Sequence, residues 1–260
     1  MKKIARRIGR VGFKLTRKIY KALDIDGMRW HNTYLQYFPD RYSTKFDEYK
    51  KTTNFLSYSD LKVWNKGNYI NNVCDVSRFI FLNLCIDTLL EENIKGNVAE
   101  LGVYKGNSAF LLSRFAKRMK TKCYLFDTFT GFDANDIVGL DKNTEKTRFS
   151  DTSLEAVQSL MGDNTNNVFV KGYFPESLEQ VGEIDAFNFV HIDCDLEKPF
   201  LAALEYFYPR LVKGGFLIMH DYSSLEWKGA KNAIDSFFKD KNEFVIPVAD
   251  KSGTCVIRKM

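Results

Sequence analysis

The sequence predicts an α/β fold: a doubly wound, mostly parallel seven-stranded sheet that closes in a C-terminal antiparallel hairpin, behind an N-terminal helical extension. Three observations predict it. Val98–Leu101 is a short apolar strand running into a glycine-bearing turn that opens an apolar-periodic helix, and the next strand ends in a carboxylate, Asp127. Strand and helix patterns then alternate down the chain. The last two apolar runs are separated by Asp250-Lys-Ser-Gly253, a hairpin signal.

Residues 1–26 read as a basic amphipathic helix. Ile4, Ile8, Val11, Leu15, Ile19 and Leu23 recur at spacings of three and four, and nine Lys and Arg with no acid fill the rest of the wheel through residue 23. That pattern suits peripheral contact with an anionic membrane surface; packing on the body or on a second subunit, and a Ser-poor transit peptide, are the alternatives. Residues 27–70, rich in Trp, Tyr and Phe, read as a helical cap over a cleft or a surface for a homo-oligomer.

The remaining domain, 71–260, begins with a helix over 72–93 that stops near Gly96. A strand over 97–101 follows, then a helix with Leu111, Leu112, Phe115 and Ala116 on one face, and a strand over 122–126. Residues 128–151 form a long polar connection of the kind that serves as a lid. Next come a helix over 153–161, strands over 168–170 and 187–193, a helix over 200–211, a Gly214-Gly215 turn and a strand over 216–219. A helix over 228–239 precedes the hairpin.

Composition narrows the class. The chain has 260 residues with 45% hydrophobic content, enough for one large domain with an appendage. No run of eighteen apolar residues predicts a membrane span, and no apolar segment with a small-residue cleavage site follows the basic start. Five scattered cysteines without a C-x-x-C pair suit a reducing cytoplasm. The formal net charge is +5, but the first 23 residues carry nine positive charges, so the rest carries −4. An acidic body argues against a nucleic-acid partner.

Chemistry concentrates at predicted strand ends. The glycine spacing is Gly102-x-x-x-Gly106, with Tyr104 where a dinucleotide loop would place its second glycine, so the turn suits a smaller nucleoside-like ligand whose ribose hydroxyls Asp127 would take. Asp193 and Asp195, two apart in an extended chain, face one site, and His220-Asp221 follows the neighbouring strand. Three carboxylates converging with no Arg or Lys beside them call for a cation, most simply Mg2+, with His220 as a further ligand. A strand-end cap at Asp193 and a packed core histidine at His191 are the plainer readings of those residues taken singly.

Five stretches, taken in order, resemble the macrocin O-methyltransferase (TylF-type) family: Glu100-Leu-Gly-Val-Tyr-Lys-Gly-Asn-Ser108, Leu125-Phe-Asp-Thr-Phe-Thr-Gly-Phe132, Phe189-Val-His-Ile-Asp-Cys-Asp-Leu196, Tyr208-Pro-Arg-Leu-Val-Lys-Gly-Gly-Phe216 and His220-Asp-Tyr222. The resemblance covers about residues 70–260. It implies a Rossmann-like class I methyltransferase that uses S-adenosylmethionine and Mg2+ to methylate a hydroxyl of a sugar or glycosylated small molecule. It also implies that Glu100, Gly102 and Ser108 line the cofactor, with Tyr104, Gly106, Thr128 and Gly172 in the adjoining turns, and that Asp127 holds the ribose. Asp193 and Asp221, with His220, would bind the metal, and Asp195 would be the general base. The family usually has Asp where this chain has His220, which brings in Mn2+ as an alternative ion. Two other readings stand beside this one: a nicotinamide-dependent oxidoreductase, and a non-catalytic membrane-associated protein with a methyltransferase-like shell.

Overall fold

The computed structural model describes residues 76–260 apart from Asp163; the expectations for residues 1–26 and 27–70 lie outside the described residues. Helix α1 spans Val76–Glu91, followed by β1 (Asn97–Leu101), α2 (Asn107–Met119), β2 (Cys123–Asp127), α3 (Leu154–Met161) and β3 (Asn167–Lys171). Then come β4 (Phe187–Ile192), α4 (Glu197–Phe207), β5 (Leu211–Met219), α5 (Lys228–Phe238), β6 (Ile246–Pro247) and β7 (Cys255–Arg258).

The strands form one seven-stranded sheet in the order β3-β2-β1-β4-β5-β7-β6. All pairs from β3 through β5 are parallel, while β7 runs antiparallel to both β5 and β6. The chain winds outward from β1 to β3, returns to β4 beside β1, and winds the other way. The two halves therefore part between the carboxyl ends of β1 and β4, where open α/β sheets bind ligands.

Strand alternation sorts the two faces. Ala99, Leu101, Phe126, Val190, Ile192, Leu217 and Met219 share a core with Phe200, Leu204 and Phe207 of α4 and Ala230 and Ile234 of α5. Phe189 points the other way, where its ring meets Phe115 of α2 edge-on. The four apolar residues expected on one face of α2 are all buried. Leu111, Leu112 and Phe115 each contribute about 1.5–3 kcal/mol when fully buried, so this layer fixes how α2 sits on β1 and β2.

Several boundaries differ from expectation. The helix expected over 200–211 begins at Glu197 and ends at Phe207, because Tyr208–Arg210 tightens into a 3-10 turn around Pro209. Gly214-Gly215 is not a turn before the strand: β5 runs through it from Leu211, and the register against β4 shifts between Phe187 and Phe189. The connection from Thr128 to Thr152 is turns and one 3-10 turn, Gly139–Asp141. Among the described residues, no helix is long and apolar enough to cross a membrane.

Candidate active site

A cavity of about 460 Å3 opens at the carboxyl ends of β1, β2, β3, β4 and β5. Gly102, directly after β1, has φ +89°, and a Cβ there would overlap the Asp193 carbonyl. Only glycine lets the ends of β1 and β4 come this close. Tyr104, also at positive φ, turns its N–H onto Asp127 Oδ2 at 2.8 Å, and the Phe129 N–H donates to Asp127 Oδ1 at 2.6 Å. Burial pushes the Asp127 carboxyl up, and these two N–H donors pull it back toward the ionised form. Val103 and Thr128 also donate to this carboxylate, which opens on the cavity. Thr128, Gly172 and Tyr173 complete this half of the wall.

The other half carries the acids. Asp193 Oδ1 and Asp221 Oδ2 lie 2.7 and 3.1 Å from His220 Nδ1. These contacts are off the N–H direction, so neither ring nitrogen of the buried His220 makes a directed hydrogen bond. Burial disfavours the imidazolium, but Asp193 outweighs it and pushes the His220 pKa up to about 9. Burial would also raise Asp193; His220 and Arg78 together hold it well below the usual carboxylate range. Asp195, at φ +61° and buried, is held well above that range by burial and then by the charges of Asp221 and Asp193.

Two expectations about this group need correction. Asp193 and Asp195 do face one cavity, but β4 ends at Ile192, and a left-handed turn at Asp195 rather than an extended chain brings it round. Nor are the acids without basic neighbours. Arg78, in the first turn of α1, donates from Nη1 to Asp193 Oδ2 at 2.8 Å, and Arg148 lies near enough to feel Asp195 and Asp221. The donor set still suits a divalent cation: one ligand atom each from Asp193, His220 and Asp221 lie within 4.8 Å of one another, and both imidazole nitrogens lack a directed hydrogen bond.

Glu100, Gly106 and Ser108 do not line the cavity. Glu100 points from the centre of β1 toward the α2 layer, wholly buried, where Ser108 Oγ donates to it at 2.5 Å and His191 Nδ1 lies 2.8 Å away. Burial raises its pKa. Gly106 caps α2 in a left-handed conformation, facing Val157 and Met161 of α3. These residues hold the turn from beneath.

The segment 128–152 covers the cavity and is fastened at three points. Tyr104 Oη and Lys105 Nζ reach Asp151 at 2.6 and 2.5 Å, and Thr152 Oγ1 donates to the Tyr104 carbonyl. Arg148 pairs with Glu226 at 2.5 Å and lies 4.6 Å over the Trp227 ring, whose other neighbours are Phe132 and Phe149. Asp141 Oδ2 accepts the Glu197 N–H at 2.8 Å, and its carboxylate also accepts the Gly229 N–H, so one side chain caps both α4 and α5.

Arg78, Arg148 and Trp227 are the site residues that sequence reasoning missed. The available signal was an Arg-Phe pair, Arg148-Phe149, at the end of a polar connection; nothing local marks Arg78.

A family model described as macrocin-O-methyltransferase (TylF) matches residues 64–259. The chain belongs to this family. Two curated relatives are O-methyltransferases by name. The 8-demethyl-8-(2,3-dimethoxy-alpha-L-rhamnosyl)-tetracenomycin-C 4'-O-methyltransferase of Streptomyces olivaceus is 26% identical over 161 residues, which are 55% of this chain and 59% of that enzyme. Mycinamicin III 3''-O-methyltransferase of Micromonospora griseorubida is 26% identical over 158 residues, 54% of this chain and 61% of that enzyme. The matches thus span about three fifths of these enzymes. The O-methyltransferase NovP has the same fold, with a TM-score of 0.58 at 20% identity, covering 71% of this chain and 80% of that one.

Proposed function

We propose that the chain is an S-adenosylmethionine-dependent O-methyltransferase whose acceptor is a hydroxyl of a sugar or sugar-bearing small molecule, assisted by a divalent cation. The observation that carries this reading is one cavity joining Asp127, in the ribose-binding place, to an acid group containing Asp195. The rhamnosyl group in the name of the tetracenomycin relative supports the sugar.

S-adenosylmethionine, when bound, supplies an electrophilic methyl group on a sulfonium. Asp127, held in place by the Tyr104 and Phe129 N–H groups, would orient its ribose. Gly102 lets the ends of β1 and β4 close on one another, which brings the turn and Asp193 to one cavity. A cation held by Asp193, Asp221 and the neutral imidazole of His220 would make the acceptor hydroxyl more acidic.

Asp195 takes the hydroxyl proton as the oxygen attacks the methyl group. Burial and the charges of Asp221 and Asp193 raise its pKa, which makes it a stronger base than a solvated carboxylate once ionised, and Arg148 opposes that rise only in part. The segment 128–152, pinned over the cavity, keeps water from competing with the acceptor.

Isothermal titration with S-adenosylmethionine tests the reading. Micromolar binding is expected, weakened about tenfold or more in Asp127→Ala, followed by methylation of sugar hydroxyls in an acceptor screen. No binding by the full chain, with or without Mg2+, refutes it.

A further inference from the structure

We propose that Arg78 is the resident counter-cation of the Asp193–His220–Asp221 group and lowers the affinity of that group for a divalent cation by competing for the Asp193 carboxylate. The inference rests on reading the acid group as a metal site, and it concerns what the unloaded site must give up.

Arg78 comes from α1, 115 positions away in the chain, and its side chain is only 11% exposed. It donates from Nη1 to Asp193 Oδ2 at 2.8 Å, while Asp193 Oδ1 faces His220 Nδ1 at 2.7 Å. One oxygen of the carboxylate shared with the candidate metal group is therefore already engaged by a guanidinium, and the other faces an imidazole nitrogen. A guanidinium keeps its charge at every accessible pH, so it cannot yield by losing a proton. It must either release Oδ2 or remain as a like charge across a single carboxylate from the incoming ion. At the effective dielectric of about 20 that suits protein sites, that repulsion is worth a tenfold change in affinity or more.

A carboxylate sharing its charge with a guanidinium is not an unpaired buried charge, so Arg78 offsets part of the cost of bringing these acids together. An incoming cation has to displace or oppose that partner.

The test uses Mn2+ alone, titrated into the full chain by calorimetry and followed in parallel by its paramagnetic resonance signal, with no acceptor present. Arg78→Met is expected to bind Mn2+ at least tenfold more tightly than the natural protein, and Arg78→Lys, which keeps the charge, to stay within about threefold of it. Should Arg78→Met fail to fold, judged by its melting curve, Arg78→Gln carries the same expectation, because it keeps a donor for Asp193 Oδ2 without the charge. Unchanged or weaker Mn2+ binding in the uncharged variants overturns the proposal. So does the absence of Mn2+ binding at millimolar concentration in all of the proteins.

S-adenosylmethionine affinity, measured without metal on the same proteins, separates the two readings. Cofactor binding with no Mn2+ effect sinks the role of Arg78 and leaves the methyltransferase reading standing. A Mn2+ effect without cofactor binding does the reverse.

Discussion

Substituting Gly229 by Ala should reverse the sign of its effect when Asp141 is removed. Gly229 is the second residue of α5, and Asp141 sits against it: a Cβ there would overlap the Asp141 carboxylate. In the natural background Gly229→Ala displaces that carboxylate from the Gly229 and Glu197 N–H groups it caps. Losing a side-chain cap costs about 1 kcal/mol per helix, and two helices share this one, so the loss is about 2 kcal/mol. Alanine returns at most about 1 kcal/mol through its better helix propensity, leaving a net destabilisation of at least about 1 kcal/mol. Asp141→Ala alone should cost about 2 kcal/mol by the same reasoning, a fall in melting temperature of about 4–8 °C for a domain of this size. In the Asp141→Ala background no carboxylate remains to displace, so Gly229→Ala should stabilise by about 0.5–1 kcal/mol. Four thermal or urea melts complete the cycle, and the coupling should exceed about 1.5 kcal/mol. Equal costs of Gly229→Ala in both backgrounds would refute the double cap.

Further expectations concern the acid group. Asp195→Asn should cut turnover by about 10²- to 10⁴-fold with S-adenosylmethionine affinity nearly unchanged; loss of cofactor binding as well would remove Asp195 from the role of base. The same variant should melt higher than the natural protein at neutral pH. The raised folded pKa means that Asp195 contributes stability when protonated, present below its ordinary 3.8 and lost as pH rises through the folded value, and Asn ends that loss. For His220 the folded pKa is about 9 against 6.5, so its stability contribution is full below 6.5 and fades as pH rises through 9. Ligation needs the neutral ring, so Mn2+ affinity should climb with pH up to about 9, with proton release measurable as a calorimetric heat that depends on the buffer. His220→Asp should flatten that rise, and a rise unaltered in that variant would mean that another group supplies the proton. Excess chelator should abolish turnover, and full activity in it would assign the acids a structural role alone.

What the sequence revealed depended on how local the determining physics was. The bounds of β1 agree with expectation because Gly96 and Gly102 flank a five-residue stretch built on Val98, Ala99 and Leu101, and every signal involved lies within eight residues. The hairpin was equally legible, since Asp250 accepts from the Gly253 and Thr254 N–H groups within its own turn. Gly214-Gly215 misled because a glycine pair punctuates a turn in isolation, whereas here it sits in an irregularity of β5: the pairing with β4 skips from Leu211 to Phe216, and the Gly214 N–H and Gly215 carbonyl bond to Lys259 just beyond β7. In the site, Gly102, Asp127 and the Asp193–Asp221 convergence were legible from topology alone, as strand ends at a switch point. Glu100 was not, because strand alternation turns it toward α2, a direction that a one-residue offset would reverse. Arg78 was out of reach, since no local pattern couples the first turn of a helix to a carboxylate 115 residues later.

The guanidinium of Arg148 resting on Trp227 makes the indole a built-in optical reporter. The arginine belongs to the segment over the cavity and the tryptophan to the loop after β5, so any excursion of that segment strips a cation from the face of the ring. Emission from Trp227 should then shift in wavelength or intensity whenever the segment lifts or settles, with no label attached. The chain holds two other tryptophans, Trp30 and Trp64, and replacing both with Phe would leave a single fluorophore. Stopped-flow traces of that variant would give the rate at which the cover responds to cofactor, a quantity that turnover alone never isolates.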